Sequence, residues 1–159
     1  MAKDYHSWDR IDSLVRGLIG QLNADDYDAI MAITRGGMIP GGLISKRLLI
    51  RDVLTAAVMF YTDGGQTFDK PMFLQFPIDT LIAGKRILIV DDVWDSGKTA
   101  VAVKERVSAS GGNPTVAVIH YKPEASRFPD QAPDFYAVET DAWIVYPWEP
   151  DYDERPQDS

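Results

Sequence analysis

The sequence predicts an α/β fold with a central, mostly parallel sheet flanked by helices. Segments with strand character alternate along the chain with segments of helical periodicity, which is the order that parallel βαβ units produce. The run KRILIV (Lys85–Val90) ends in four consecutive apolar residues, as expected for a strand buried on both faces of a parallel sheet. Two glycine-containing turns follow strands directly, and ligands of such sheets bind at the carboxyl ends of the strands.

Helices are predicted from apolar periodicity and from residues that start or stop a helix. The first runs from Ser7 to Leu22, with Ser7 as its N-cap. The second begins near Pro40 and ends near Leu49, since proline suits a first helical turn. The third leads from the turn DSGKT to about Ser110, where two glycines end it. The predicted strands are Asp28–Ile33, Asp52–Tyr61, Lys85–Val90, Thr115–Tyr121 and Asp134–Val138.

The length of 159 residues suits one compact domain. We assign this domain to residues 1–150 and expect residues 151–159 (DYDERPQDS) to form a solvated, disordered acidic tail. Between two strands, residues 62–71 contain adjacent glycines, a proline and no periodicity, which predicts a flexible loop. We find no internal repeat and no linker that would divide the domain.

Composition and charge exclude several classes of protein. The 24 acidic residues exceed the 16 lysines and arginines, giving a net charge of −8, whereas nucleic-acid binding proteins normally carry a basic surface. Nucleic acid is therefore not an expected partner. No apolar run is long enough to span a bilayer, and the amino terminus lacks the apolar stretch of a secretory signal. The absence of cysteine excludes disulfides and is compatible with the cytoplasmic location that we expect.

The turn after Lys85–Val90 carries the most informative chemistry. Two adjacent carboxylates, Asp91 and Asp92, stand at the end of the strand. They are followed by a short polar turn that opens a helix, formed by Asp95, Ser96, Gly97, Lys98 and Thr99. Glycine allows close approach of a ligand, and the free amides at a helix start favour an anion. A phosphate bound there would place the hydroxyls of a sugar phosphate near the two aspartates.

The residues of this turn allow two other interpretations. Gly97, Lys98 and Thr99 match the end of the P-loop pattern GxxxxGK[ST], but the first glycine of that pattern would fall on Asp92. A bulky anion there does not suit a loop that must wrap a polyphosphate. The other interpretation is an ordinary strand-to-helix turn without a ligand.

The segment ILIVDDVWDSGKT resembles the motif that binds 5-phosphoribosyl-1-pyrophosphate (PRPP) in type I phosphoribosyltransferases. The resemblance implies the fold of that family, with a small hood made by the chain ends, here residues 1–10 and 139–150. It also implies that Asp91 and Asp92 bind the ribose hydroxyls and a Mg²⁺ cofactor. The 5′-phosphate would be bound by the turn residues Ser96, Gly97, Lys98 and Thr99.

Further segments resemble the bacterial 6-oxopurine branch of this family, the xanthine-guanine phosphoribosyltransferases. AITRGGMIPGGLISKRL is similar to the pyrophosphate loop and its helix, which implies that Arg35, Gly36 and Gly37 contact pyrophosphate. VIHYKP and TDAWIVYPWE are similar to the segments that bind the base. The residues implied in base binding are Lys122, Trp143 and Ile144. Residues alone leave other interpretations open: a structural glycine turn, a solvated lysine, and a tryptophan in a core or a subunit interface.

The resemblance implies a transfer of phosphoribose from PRPP to xanthine, guanine or hypoxanthine. Arg35 would stabilise the departing pyrophosphate, and Asp95 would transfer a proton at the purine. The residues implied in a lid over PRPP are Tyr61, Asp63, Gly64 and Gly65. The chain departs from its relatives here, because Phe60-Tyr61 stands where many members have Ser-Tyr.

Two further hypotheses remain from the sequence. One is a regulatory protein that binds PRPP with little or no catalysis, and the other is a phosphoribosyltransferase for a different nucleobase. Lys122 and Trp143 favour a 6-oxopurine, because pyrimidine branches have different hoods. The family resemblance also implies a homodimer or homotetramer.

Overall fold

The computed structural model describes residues 2–154, apart from the side chains of Thr67 and Phe68. Three α-helices lie in this part of the chain: α1 (Trp8–Ile19), α2 (Met38–Leu48) and α3 (Lys98–Ala109). The strands are β1 (Lys3–Tyr5), β2 (Ala29–Ile33), β3 (Val53–Asp63), β4 (Gln66–Gln75), β5 (Arg86–Trp94), β6 (Asn113–Tyr121), β7 (Phe135–Glu139) and β8 (Trp143–Val145). Each predicted helix and strand is present, with ends shifted by up to a few residues. The predicted N-cap is confirmed, since Ser7 accepts a hydrogen bond from the Arg10 amide at 3.1 Å.

The central sheet confirms the predicted α/β class. Its six strands lie in the order β4-β3-β2-β5-β6-β7. All neighbouring pairs are parallel except β3 and β4, which are antiparallel. Because β2 and β5 are adjacent and parallel, the turns that follow them meet at one edge of the sheet.

Strand alternation divides the core between the two faces of the sheet. In β5, Ile87 and Ile89 pack with residues of α3, whereas Leu88 and Val90 pack with residues of α1 and α2. Successive strand side chains point to opposite faces, so an unbroken apolar run is buried on both sides. The helices cover both faces, which leaves the carboxyl edge of the sheet for polar turns.

The two ends of the chain form the predicted hood. Strand β1 pairs in parallel with β8, with Lys3 opposite Trp143 and Tyr5 opposite Val145. The main chain continues this pairing, because the His6 amide donates to the Val145 carbonyl at 3.0 Å. The hood therefore places Trp143 and Ile144 above the carboxyl edge.

The prediction of a flexible loop at residues 62–71 is wrong. These residues extend β3 and β4 into a hairpin in which Asp63 pairs with Gln66. Gly64 and Gly65 both have positive φ, 56° and 82°, as a two-residue hairpin turn requires. Residues 62–71 are mostly polar and show no apolar alternation, which explains why periodicity failed to reveal this exposed β-ribbon.

The predicted acidic tail is ordered at its start. Residues Pro150–Glu154 form a 3₁₀ helix, and Asp151 makes an ion pair with Lys3 at 3.0 Å. The tail thereby contacts the first strand of the hood. Residues 155–159 lie outside the described residues, as does Met1 of the predicted hood. Across residues 2–154, none of the helices combines the length and apolar character needed to cross a membrane.

His120 makes stability depend on pH. Its side chain is buried, and burial, followed by the neighbouring His6, lowers its pKa from 6.5 to about 3. The folded chain keeps this ring neutral where the unfolded chain takes up a proton. The stabilisation of the folded state by neutral His120 is therefore complete above about pH 6.5 and decreases as the pH falls toward 3.

We expect the contribution of His120 to the free energy of unfolding to fall by on the order of a few kcal/mol across this window. Urea unfolding at about pH 7 and about pH 4.5 measures the change. The variant His120→Leu, which has no ring to protonate, should lose less stability between the two conditions. An equal loss in both proteins would contradict the assignment.

Candidate functional site

Two turns meet at the carboxyl edge of the sheet. One follows β2 and contains Arg35, Gly36 and Gly37, and the other follows β5 and leads into α3. They are in direct contact, because a Cβ atom added to Gly36 would overlap the carboxylate of Asp92. The residues predicted to contact pyrophosphate and those predicted to contact ribose are therefore neighbours.

The aspartate pair is partly buried and rich in local hydrogen bonds. The Asp92 amide donates to Oδ1 of Asp91 at 2.9 Å, and the Val93 amide donates to Oδ1 of Asp92 at 2.7 Å. Burial, followed by the negative charge of Asp92, raises the pKa of Asp91 well above its usual range. Burial also raises the pKa of Asp92. A cation or hydroxyl donors placed at the pair would relieve this cost.

The turn after β2 is packed so closely that only glycine fits. A Cβ atom on Gly37 would overlap the main-chain carbonyl oxygens of Val90 and Ile33. The Gly37 amide donates to the Ile33 carbonyl at 2.9 Å, and the Thr34–Arg35 peptide bond is cis. Arg35 is exposed at this edge. The turn thus combines a closely packed main chain with the exposed positive charge of Arg35.

The turn after β5 wraps around a buried tryptophan. Gly97 has φ 84° and lies against the Trp94 indole, so both its conformation and the available space call for glycine. The Trp94 Nε1–H donates to Ser126 Oγ at 3.1 Å, which fixes the ring. Helix α3 begins directly after Gly97, which has no side chain to cap it. The first-turn amides therefore favour an anion.

Lys98 differs from the other residues of this turn in where its side chain points. Its ammonium lies 3.1 Å from Asp69 on β4 and 4.4 Å from the centre of the Phe60 ring on β3. Arg127 contacts the same carboxylate at 3.0 Å. The structure thus brings the Lys98 backbone into the predicted phosphate turn but directs its ammonium to the hairpin.

A cavity of about 740 Å³ lies between the end of β5 and the hood. It is lined by Asp92, Val93, Asp95, Lys122, Glu124, Ala125, Asp141, Trp143, Ile144, Tyr146 and Glu149. Lys122 faces Asp95 with an N–O distance of 3.8 Å, and its side chain is largely buried while that of Asp95 is exposed. All three residues predicted to bind the base thus line one cavity with the predicted proton-transfer residue.

A second cavity, of about 460 Å³, lies beside the first. Its lining comprises Arg35, Gly36, Met38, Ile39, Asp92, Trp148, Glu149 and Pro150. Asp92 and Glu149 line both cavities. Asp92 therefore lies at the junction of two subsites. One contains Arg35 and the glycine turn, and the other contains Lys122 and the ring of Trp143.

The residues predicted for a lid belong to the hairpin. Tyr61 and Asp63 are in β3, and Gly64 and Gly65 form the turn that joins it to β4. Tyr61 lines a cavity of about 530 Å³ with Lys70, Pro71 and Met72. The hairpin joins the body of the protein through Asp69, which pairs with Lys98 and Arg127.

Several lining residues were not predicted. Glu124, Asp141, Tyr146, Trp148 and Glu149 were not singled out, although four of them lie in the sequence of the hood. Tyr146 and Trp148 stack with ring centroids 4.6 Å apart. The concentration of aromatic and acidic residues in TDAWIVYPWE was the available signal, but it does not show which side chains face the cavities.

Comparisons with known proteins agree with this geometry. Residues 1–155 match the family described as phosphoribosyl transferase domain. The chain is 38% identical to the xanthine-guanine phosphoribosyltransferase of Roseobacter denitrificans over 157 residues, covering 92% of this chain and 86% of that protein. It is 36% identical to the protein of the same name from Chromohalobacter salexigens, covering 90% and 82%.

Two solved structures are similar over nearly the whole chain. The purine phosphoribosyltransferase from Pyrococcus horikoshii has a TM-score of 0.82 and 33% identity, covering 94% of this chain and 95% of that one. A protein from Neisseria gonorrhoeae, crystallised with bound ppGpp, has a TM-score of 0.80 and 29% identity, covering 96% and 92%.

Proposed function

The chain belongs to the phosphoribosyl transferase domain family, and on that premise we propose that it is a purine-salvage phosphoribosyltransferase. It transfers 5-phosphoribose from PRPP to a 6-oxopurine (xanthine, guanine or hypoxanthine) and releases pyrophosphate. One observation carries the proposal: Asp92 lies where two chemically different cavities meet. PRPP and a purine have the same arrangement, with pyrophosphate and base on either side of a ribose.

The larger cavity is the proposed site for the base. The Lys122 ammonium is a donor only, so it suits the 6-oxo group of a purine and not a 6-amino group. The exposed Trp143 ring offers an aromatic face for stacking, and the main chain of Ile144 offers donors and acceptors to the edge of the base. The Lys122 ammonium therefore supports a 6-oxopurine over adenine, while Trp143 and Ile144 support a planar base in general.

The aspartate pair and the turn after it are the proposed site for ribose 5-phosphate. The carboxylates of Asp91 and Asp92 accept hydrogen bonds from the 2′- and 3′-hydroxyls. The phosphate lies against the turn formed by Ser96, Gly97, Lys98 and Thr99, with amides and hydroxyls as donors. We propose that Lys98 acts there through its main chain, because its ammonium already pairs with Asp69.

The donor set at the junction suits a magnesium ion that is bound together with PRPP. Asp91 and Asp92 supply two neighbouring carboxylates, and burial, followed by the negative charge of Asp92, raises the pKa of Asp91. The described residues contain no cluster of three or more metal-ligating side chains. Mg²⁺ needs none, since it binds one or two carboxylates and completes its shell with water and substrate phosphates. Bound there, it would add positive charge beside the pyrophosphate.

The reaction breaks the bond between C1 of the ribose and the pyrophosphate oxygen and forms a bond from C1 to a purine nitrogen. Arg35 and the amides of Gly36 and Gly37 stabilise the negative charge that develops on pyrophosphate. Asp95 takes up the proton released from the purine. The phosphate turn and the base cavity hold C1 between nucleophile and leaving group, which lowers the entropic part of the barrier.

Incubation with PRPP, Mg²⁺ and each nucleobase tests the function. We expect pyrophosphate release with xanthine, guanine or hypoxanthine and none with adenine, uracil or orotate. Release with a pyrimidine alone would identify a phosphoribosyltransferase for another base. Binding of PRPP without release with any base would support the alternative of a regulatory PRPP-binding protein.

Asp92→Asn tests the junction and its dependence on magnesium. The substitution keeps the size of the side chain but removes a charge, so we expect Mg²⁺-PRPP to bind about tenfold more weakly. Titration calorimetry at several Mg²⁺ concentrations measures this change. Unaltered affinity at every concentration would remove Asp92 from the metal and ribose site.

We also propose a cytoplasmic homodimer or homotetramer. The hairpin exposes apolar side chains from both of its strands, including Met59, Met72 and Leu74, which a second subunit would cover. Light scattering of the purified protein distinguishes these states from a monomer.

A further inference from the structure

Tyr146 makes an unusual connection between the hood and the aspartate pair. Its side chain is 3% exposed, and its hydroxyl donates to the main-chain carbonyl oxygen of Asp92 at 3.1 Å. The hydroxyl oxygen of Tyr146 also lies 2.8 Å from Nδ1 of His120. A tyrosine hydroxyl has one proton, which is given to Asp92, so the Nδ1–H of His120 must be the second donor. The three groups thus form a directed chain from His120 through Tyr146 to Asp92.

This contact lies where the sheet no longer supports β5 on both sides. The pairing of β2 with β5 ends at Val90, two residues before Asp92. On the other side, the pairing of β5 with β6 continues and places Val93 opposite His120. The hydroxyl of Tyr146 therefore holds the Asp92 peptide at a point where β5 is no longer paired with β2.

Tyr146 itself is held firmly in place. Its ring stacks on Trp148 with a centroid distance of 4.6 Å and an interplanar angle of 5°. It directly follows β8, the strand that carries Trp143 and Ile144. A shift of β8 would therefore reach Asp92 through this buried hydrogen bond.

We infer that Tyr146, oriented by His120, is a positioning residue that sets the Asp92 carboxylate between the two cavities and couples binding of the base to binding of PRPP. The inference rests on the proposed function. It explains why a polar hydroxyl is buried here: its donor and acceptor capacities are both used, one by each neighbouring element. A phenylalanine would preserve the stacking and leave the Asp92 carbonyl and the His120 N–H without this partner.

The test compares Tyr146→Phe with Tyr136→Phe as a matched control. The Tyr136 hydroxyl also donates a hydrogen bond, to Glu139 at 2.8 Å, but on the surface of β7. Calorimetry gives the Kd of Mg²⁺-PRPP with and without 9-deazaguanine, a base analogue whose carbon at position 9 prevents transfer. The ratio of the two Kd values measures the coupling between the sites.

For Tyr146→Phe we expect the Kd of PRPP to rise about fivefold and the coupling ratio to move toward one. Tyr136→Phe should match the wild type in both quantities. A lower melting temperature with unchanged Kd and unchanged coupling would show a purely structural role and overturn the inference. If Tyr146→Phe fails to fold, His120→Leu, which removes the orienting donor and keeps the Tyr146 hydroxyl, should change both quantities in the same direction, and unchanged values there would overturn it equally.

The same experiment separates this inference from the proposed function. Wild-type protein that binds no Mg²⁺-PRPP would refute both. Wild-type protein that binds it, together with a Tyr146→Phe variant that binds it equally well and with equal coupling, would refute only the role of Tyr146.

Discussion

Gly36→Ala is expected to weaken Mg²⁺-PRPP binding by about one to two orders of magnitude. The added methyl group would occupy space already taken by the Asp92 carboxylate. Either Asp92 rotates away or the turn after β2 shifts, and each movement separates the pyrophosphate subsite from the ribose subsite. The Kd of PRPP and the KM in the pyrophosphate-release assay should both increase.

Gly42→Ala is the matched control for this prediction. Gly42 lies in α2, and a Cβ atom there would have nothing within 4 Å. We expect wild-type affinity and a gain in stability of about 0.5–1 kcal/mol, because alanine favours a helix over glycine. An equal loss of affinity in both variants would mean that the effect of Gly36→Ala does not arise from contact with Asp92.

The sequence was sufficient for the fold because its strongest signals are local and agree with each other. The apolar run in β5, the cap at Ser7 and the glycines at the end of α3 each determine one element, and the alternation of elements determines the sheet. The hairpin was missed because an exposed ribbon carries no apolar alternation. Its signal was the Gly64-Gly65 pair, whose positive φ angles match a hairpin turn.

The glycine turns of the candidate site were predictable because their main chain is closely packed. Close packing requires glycine at positions 36 and 97, so the glycines in the sequence indicate these contacts. The direction of a side chain leaves no such signal in the sequence. Lys98 sits in the predicted turn, yet its ammonium pairs with Asp69, whose position depends on the hairpin.

The contact between Tyr146 and Asp92 could not be predicted from the sequence for a related reason. The two residues are far apart in the sequence, and their contact depends on how the hood rests on the sheet. Local patterns report neighbours in the chain, whereas the hood is set by the pairing of β1 with β8. Such long-range contacts become visible only once the fold is known.

Asp95→Ala is expected to lower kcat by about 10²–10⁴-fold while changing the Kd of Mg²⁺-PRPP little. The carboxylate lines the base cavity, and its side chain is 61% exposed, so a purine can reach it. Single-turnover measurements of pyrophosphate release, together with calorimetry, separate the chemical step from binding. Asp130→Ala, at another exposed aspartate in a loop, should leave both quantities unchanged.

A second substitution distinguishes two roles for Asp95. The carboxylate lies 3.8 Å from the Lys122 ammonium, so it either takes up the purine proton or only orients the lysine. Asp95→Asn retains an oxygen that accepts from Lys122 but cannot act as a base at neutral pH. If proton transfer is the role, kcat falls as far in Asp95→Asn as in Asp95→Ala and the KM for the base stays close to wild type. If orientation is the role, Asp95→Asn keeps most of its turnover, and Asp95→Ala raises the KM for the base instead.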